Sequence, residues 1–125
     1  MKYLIFVAVG GASGALARHL LANWIHSLWE GEIPVGTLLV NVVGSTAIGV
    51  MYVLIMERQM IHTDWREVAM VGFLGAFTTF STFSLETIAL FEAGHTLHAI
   101  GYMFGSTVLC VVMAGLAIQL TKIIV

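Results

Sequence analysis

The stretch VAMVGFLGAFTTFSTFSL, residues 68–85, contains no Asp, Glu, Lys or Arg. Its length approaches the roughly 20 residues that an α-helix needs to cross the hydrocarbon core of a bilayer. Two longer stretches, residues 33–56 and 93–121, are also free of these charged residues. The sequence therefore predicts at least three membrane spans.

The composition of the whole chain agrees with a membrane location. Of its 125 residues, 59% are hydrophobic and 10% are charged, whereas soluble domains carry roughly 25% charged residues. A net charge of −2 without any basic run excludes a nucleic-acid partner. The single cysteine, Cys110, excludes an internal disulfide and a metal-binding cysteine pair. We interpret residues 1–125 as one transmembrane domain.

Residues 3–25 form the least regular of the apolar segments because Arg18 interrupts them. Lys2, the apolar run that follows it and the Ala15-Leu16-Ala17 triplet also imitate a signal peptide. We favour a span, since more apolar sequence follows Arg18 at once and the later spans already require a membrane. The predicted fold is all-α, with four transmembrane helices at about 3–25, 34–56, 68–91 and 98–122.

The basic residues are distributed unequally between the two sides of such a bundle. Four spans place both termini and the second loop on one side, which then carries Lys2, Arg58, Arg66 and Lys122. Arg18 alone opposes them. The positive-inside rule predicts that the termini lie in the cytoplasm.

Two G-x-x-x-G patterns, Gly10 with Gly14 and Gly101 with Gly105, are typical of closely packed membrane helices. They either pack the helices of one chain or join two copies. A four-helix chain of this size has little interior of its own. We therefore expect an oligomer to enclose any polar path.

Polar residues at four-residue spacing form one stripe on the second predicted helix and another on the fourth. They are Thr37, Asn41 and Ser45, and Tyr102, Ser106 and Cys110. Asn41 must find a hydrogen-bond partner or line a cavity at this depth. An interhelical hydrogen bond worth about 1 kcal/mol is the simpler of these interpretations.

Residues 75–84 of the third helix combine five hydroxyl side chains with three phenylalanines. Phe80 and Phe83 share a helix face, and Thr79 and Thr82 lie on a neighbouring stripe with Glu86. Phenylalanines in membrane helices usually face lipid or pack, but a lipid-facing stripe has no use for so many donors. Hydroxyls, amides and the positive edges of aromatic rings suit the coordination of an anion. A path without fixed positive charge would also release the ion.

Glycines and β-branched residues weaken the middle of the third helix, at Gly72, Gly75, Thr78 and Thr79. A break there would free backbone carbonyls for a small cation. A continuous helix with local bends is the alternative.

Apart from Lys122 at the end of the fourth span, two charged residues lie within predicted spans. Arg18 must snorkel to the interface, pair across helices or occupy a water-filled vestibule that attracts anions. Glu86, the only acid within a span, is either a proton-coupling group or a vestibule residue.

Three features together resemble the Fluc (CrcB) fluoride channels over essentially the whole chain. They are Gly75-x-x-Thr78-Thr79-Phe80-Ser81-Thr82-Phe83-Ser84, Asn41 in an Asn-x-x-Gly context, and Arg18 after a glycine-rich helix. The resemblance implies an ion channel rather than an enzyme, for passive fluoride efflux that lowers fluoride toxicity. It further implies an antiparallel, dual-topology homodimer in the lipid of the bacterial inner membrane. Two fluoride pores would lie at the subunit interface, with a structural sodium ion (Na⁺) at its centre and the third helix broken near its middle.

The resemblance also assigns roles by matching position. The residues implied for the fluoride pore are Asn41, Phe80, Ser81, Thr82, Phe83, Glu86, Tyr102 and Ser106. Arg18 matches a vestibule residue, and Gly75 and Thr78 would give backbone carbonyls from both subunits to the sodium ion. Two features depart from the family. Cys110 stands where a hydroxyl is expected, and the charge bias favours one orientation whereas the family inserts both ways.

Two other functions fit the same four-helix layout. A small proton-coupled exporter of organic cations needs a central carboxylate, for which Glu86 is the only candidate. A membrane packing subunit without transport activity is the third possibility.

Overall fold

The computed structural model, which describes every residue from Met1 to Val125, contains four helices long and apolar enough to cross a membrane. They are α1 (Lys2–Leu28), α2 (Val35–Glu57), α3 (Arg66–Glu92) and α4 (Thr96–Ile124). Most helix ends extend one to three residues beyond the predicted span ends. The spans were predicted from the apolar pattern, and polar residues at several of the ends continue the helix beyond it. Pro34, predicted to open the second helix, lies just outside it at the N-cap position.

Helix α1 packs closely against the first half of α3. Gly10 and Gly14 are buried in this contact, and a Cβ atom on either would overlap the α3 backbone at Val68 or Phe73. The positions that a Cβ would occupy on Gly101 and Gly105 of α4 have nothing within 4 Å. The first G-x-x-x-G pattern therefore packs one chain internally, and the second lies on an unpacked face.

Helix α2 lies at the centre, in contact with α1, α4 and the first half of α3. Its fully buried side chains include Val40, Val53 and Ile55. Gly49 faces the Ala114 carbonyl of α4, where a Cβ would come within 2.6 Å of the oxygen. Only 20 of the 125 residues are buried, so a single chain has a small interior, as its length predicts.

The backbone of α3 is extended between Phe77 and Phe80. Thr78 has φ −81° and ψ 155°, and Thr79 has φ −148° and ψ 121°. The second half of the helix starts at Phe80 and is capped by Thr79, whose Oγ1 accepts a hydrogen bond from the Thr82 N–H at 3.2 Å. This extended pair exposes backbone polar groups in the middle of the bundle.

Ion pairs join both termini to the second loop and to the adjoining end of α2. Lys2 pairs with Asp64 at 3.2 Å, and Lys122 pairs with Glu57 at 3.0 Å. The side of the bundle with the basic residues therefore also carries acidic partners for them.

Candidate functional site

The Asn41 side chain binds both backbone polar groups of Thr79. Its Nδ2 donates to the Thr79 carbonyl at 3.0 Å, and its Oδ1 accepts from the Thr79 N–H at 2.8 Å. The extended backbone of Thr79 presents these two groups side by side, so one amide can satisfy both. The second N–H of the Asn41 amide donates to no protein group. Asn41 thus stabilises the extended backbone at Thr79 and keeps one N–H free to donate to a group outside the protein.

The extended backbone at Thr78 and Thr79 also frees carbonyl groups of α3, including those of Gly75 and Thr78. In an uninterrupted helix the N–H of Thr79 would donate to Gly75 and that of Thr82 to Thr78. Here these N–H groups donate to Asn41 Oδ1 and Thr79 Oγ1 instead. The carbonyls of Gly75 and Thr78 therefore receive no helical hydrogen bond, and such carbonyl oxygens are suitable ligands for a hard cation.

Glu86 joins three helices. One carboxylate oxygen accepts a hydrogen bond from Thr37 Oγ1 of α2 at 2.7 Å, and the other accepts from the Tyr102 hydroxyl of α4 at 2.9 Å. Both donors belong to the polar stripes that the sequence shows, but their convergence on Glu86 was not predicted. Helical spacing places residues on a face without fixing which side chains meet across helices.

Replacing Tyr102 by Phe removes one of the two hydrogen bonds to Glu86. Because the acceptor is a carboxylate, we expect the free energy of unfolding to fall by about 1.5–3 kcal/mol. Chemical unfolding in detergent measures this change. The matched control is Tyr52→Phe, since Tyr52 is 40% exposed and forms no side-chain hydrogen bond. Equal stability of both variants would show that the Tyr102 to Glu86 bond contributes nothing.

Two cavities meet at Thr79. The first, of about 220 Å³, lies among α2, α3 and α4, and the second, of about 260 Å³, lies among α1, α2 and α3. The first is lined by Asn41, Ser45, Thr79, Phe80, Phe83, Ser106, Thr107, Cys110 and Val111. The second is lined by Arg18, His19, Ala22, Asn23, His26, Thr37, Val40, Thr79, Thr82 and Glu86. We call the two cavities together the donor track.

The two phenylalanines of the motif line the first cavity in different ways. Phe83 is buried and packs on Tyr102, with ring centroids 5.1 Å apart. Phe80 is 77% exposed and lies 5.5 Å from Phe83 between centroids. Phe83 therefore forms an inner wall of the donor track, and Phe80 extends outward from the chain.

Two of the residues predicted for the pore, Ser81 and Tyr102, line neither cavity. Ser81 is exposed, and its Oγ lies 3.5 Å from Thr79 Oγ1. Tyr102 is buried between Phe83 and Glu86. Ser106 and Cys110 do line the first cavity, so the α2 and α4 stripes converge there.

Arg18 lines the second cavity and forms no ion pair or side-chain hydrogen bond. The surrounding α1 side chains include Asn23, hydrogen-bonded to His19 at 3.1 Å, and His26. Sequence reasoning missed these three polar neighbours. Their three- to four-residue spacing on one face of α1 was the available signal.

The comparison with known families shows which protein family the chain belongs to. Residues 5–118 match the model of the family described as "CrcB-like protein, Camphor Resistance (CrcB)". The chain belongs to the CrcB family. Together with the four apolar helices, this identifies a multi-pass membrane protein.

CrcB relatives among curated proteins match nearly the full chain. A protein of Saccharophagus degradans is 49% identical over 117 residues, covering 93% of this chain and 86% of the relative. A protein of Hahella chejuensis is 40% identical over 124 residues, covering 99% and 98%. A protein of Magnetococcus marinus is 41% identical over 121 residues, covering 97% and 98%. Each is named "Fluoride-specific ion channel FluC", and the family resemblance noted in the sequence is confirmed.

Proposed function

We propose that this chain is a fluoride-selective ion channel, and not an enzyme, that lets fluoride leave the cell passively and so lowers fluoride toxicity in the cytoplasm. The observation that carries the proposal is the first cavity, whose hydrogen-bond donors are all uncharged, in a chain whose relatives are named fluoride-specific channels. The comparisons give no support to an exporter of organic cations.

Unused donors in the first cavity support the passage of an anion. The second N–H of Asn41 and the hydroxyls of Ser45 and Ser106 donate to no protein group, and all three residues line this cavity. Inside a membrane such donors require a polar partner. Fluoride, a small anion that accepts hydrogen bonds strongly, can satisfy them, and the ring edges of Phe80 and Phe83 can also face it.

Arg18 supports the entry of an anion into the second cavity. Since no acidic side chain pairs with it, its positive charge raises the local concentration of anions. The Glu86 carboxylate in the same cavity accepts hydrogen bonds from Thr37 and Tyr102, and beyond Thr79 the first cavity offers the ion only neutral groups. Weak neutral sites beyond a charged entrance allow the ion both to enter and to leave.

The proposal extends to an antiparallel homodimer with dual topology in the bacterial inner membrane and with two pores at the subunit interface. The first cavity supports this, because its outer wall includes Phe80 and Val111, which are 77% and 69% exposed. A second copy packed over these two exposed side chains would close the cavity.

The proposed dimer includes a structural sodium ion held by the carbonyls of Gly75 and Thr78 from both copies. Neither carbonyl receives a helical hydrogen bond, which supports the assignment. Gly75 is exposed on the chain surface, where a second copy can reach it. When bound, the ion supplies positive charge that attracts carbonyl dipoles of both copies. The chain itself holds the carbonyls in place through the Asn41 to Thr79 pair.

Purifying the protein with a large organic cation in place of sodium should lower the fraction of dimer and its thermal stability. A ligand that binds only the assembled state stabilises it in proportion to the logarithm of its concentration. Cross-linking yield and unfolding temperature, each measured across a sodium titration, test this. Potassium at matched ionic strength is the control, and equal stability in every cation would contradict the sodium site.

Growth of bacteria tests the proposed function in a cell. A strain without its own fluoride export should regain growth in fluoride-containing medium when it expresses this chain. The control is the Asn41→Ala variant at equal membrane abundance. Unchanged fluoride sensitivity with the wild-type chain inserted in the membrane would contradict fluoride efflux.

A further inference from the structure

A cluster of three metal-ligating side chains lies outside the donor track, where the first loop meets the start of α4. Glu32 Oε2 is 3.1 Å from His95 Nδ1 and 3.6 Å from His98 Nδ1. The potential ligand atoms of the three residues all lie within 4.8 Å of one another. Nothing in the proposed fluoride path requires this convergence.

The turn between α3 and α4 fixes two of the three side chains. Gly94 has a φ of +84°, a conformation that glycine adopts without strain. The Gly94 N–H donates to the Phe91 carbonyl and the His95 N–H donates to the Leu90 carbonyl, which closes α3 with a Schellman motif. His95 is thereby set at the N-cap of α4, and His98 follows three residues later on the same helix face.

The two distances from the Glu32 oxygen to the histidine nitrogens are close to those between ligand atoms of a tetrahedral zinc site. Zinc binds imidazole nitrogen and carboxylate oxygen at about 2.0–2.2 Å, so neighbouring ligand atoms lie about 3.3–3.5 Å apart. The two separations from the Glu32 oxygen fall on either side of this value. A small rotation of the side chains, which are partly or largely exposed, would bring all three atoms around one centre.

The ligand set also selects among cations. Two imidazoles with one carboxylate are a known set for zinc, and imidazole favours zinc, copper and nickel. Magnesium and calcium prefer sites made of oxygen atoms. The simpler alternative is that both histidines pair with the Glu32 carboxylate while their rings pack edge to face with centroids 5.7 Å apart, and metal binding distinguishes the two arrangements.

We propose that Glu32, His95 and His98 bind one divalent transition-metal ion, with zinc as the best match and at least one position open to water. The ion would tie the first loop to α4. It would do so beside a cavity of about 450 Å³ that Glu32 and His95 share with Glu86. The proposal does not depend on fluoride transport, since metal binding is measured on the purified chain.

Zinc titration of the full chain in detergent, without a histidine tag, tests the site. Calorimetry should show one zinc per chain, and zinc should raise the unfolding temperature. His95→Ala and His98→Ala should each weaken binding at least about tenfold, because even partners of metal ligands cost that much when they are lost. Magnesium and calcium should not displace the zinc.

His62→Ala is the matched control. His62 lies 3.7 Å from Asp64 and is largely exposed, but it belongs to no cluster of three ligands. This variant should bind zinc like the wild type. Absence of stoichiometric binding to the wild type, or wild-type affinity in the His95→Ala/His98→Ala double variant, would overturn the proposal.

Discussion

Replacing Asn41 by Ala is expected to nearly abolish fluoride efflux. The change removes the amide that satisfies both the N–H and the carbonyl of Thr79. It also removes a free donor from the first cavity. Loss of one hydrogen bond to a charged partner costs about 1.5–3 kcal/mol, which corresponds to one to two orders of magnitude in rate. Efflux from liposomes, monitored with a fluoride electrode, measures the effect.

The matched control for this variant is Asn23→Ala. Asn23 is also an amide of the donor track, but it is exposed and bonds only to the His19 side chain of its own helix. We expect it to retain most of the wild-type rate. Size-exclusion profiles of both variants must match the wild type, so that a lost rate is not lost folding. Wild-type efflux by folded Asn41→Ala would contradict the role given to this amide.

Gly14→Ala is expected to cause the largest loss of stability. The added Cβ would overlap the backbone of Phe73, including its carbonyl oxygen, and a backbone cannot rotate away as a side chain can. Helices α1 and α3 would have to move apart at this contact. We expect the free energy of unfolding to fall by about 3 kcal/mol or more, at the upper end of overpacking effects. Denaturant unfolding in detergent measures it.

Gly11→Ala, in the same helix, is the control for this prediction. The nearest atom to its added Cβ is the Gly72 carbonyl oxygen at 3.9 Å, which is an ordinary contact. Because alanine favours helix more than glycine does, the variant should be as stable as the wild type or slightly more stable. Similar losses in Gly11→Ala and Gly14→Ala would show that the close α1 to α3 contact is not responsible.

The sequence predicted the main features of the fold because the bilayer imposes a strict length rule. Charge-free stretches such as residues 33–56 located the spans. Of the weak helix formers that the sequence shows in the third span, Thr78 and Thr79 have an extended backbone in the structure, whereas Gly75 is helical. The sequence predicts that Asn41 either has a hydrogen-bond partner or lines a cavity, and in the structure it does both.

The sequence could not predict contacts that depend on how helices rotate against each other. Thr37 and Tyr102 lie far apart in the chain, and only packing brings both to Glu86. The two G-x-x-x-G patterns look alike, yet Gly14 packs against α3 while Gly105 faces open space. Residue spacing shows which side chains share a helix face, but the packing of all four helices determines which helix that face contacts.

The most direct measurement compares fluoride and chloride release from liposomes that contain the purified chain. Both ions start at equal concentration inside, and potassium ionophore keeps charge movement from limiting the rate. The uncharged donors of the first cavity, which suit a small anion, predict rapid fluoride release and hardly any chloride release. Chloride release at a similar rate, or no fluoride release above that of empty liposomes, would contradict the proposed function.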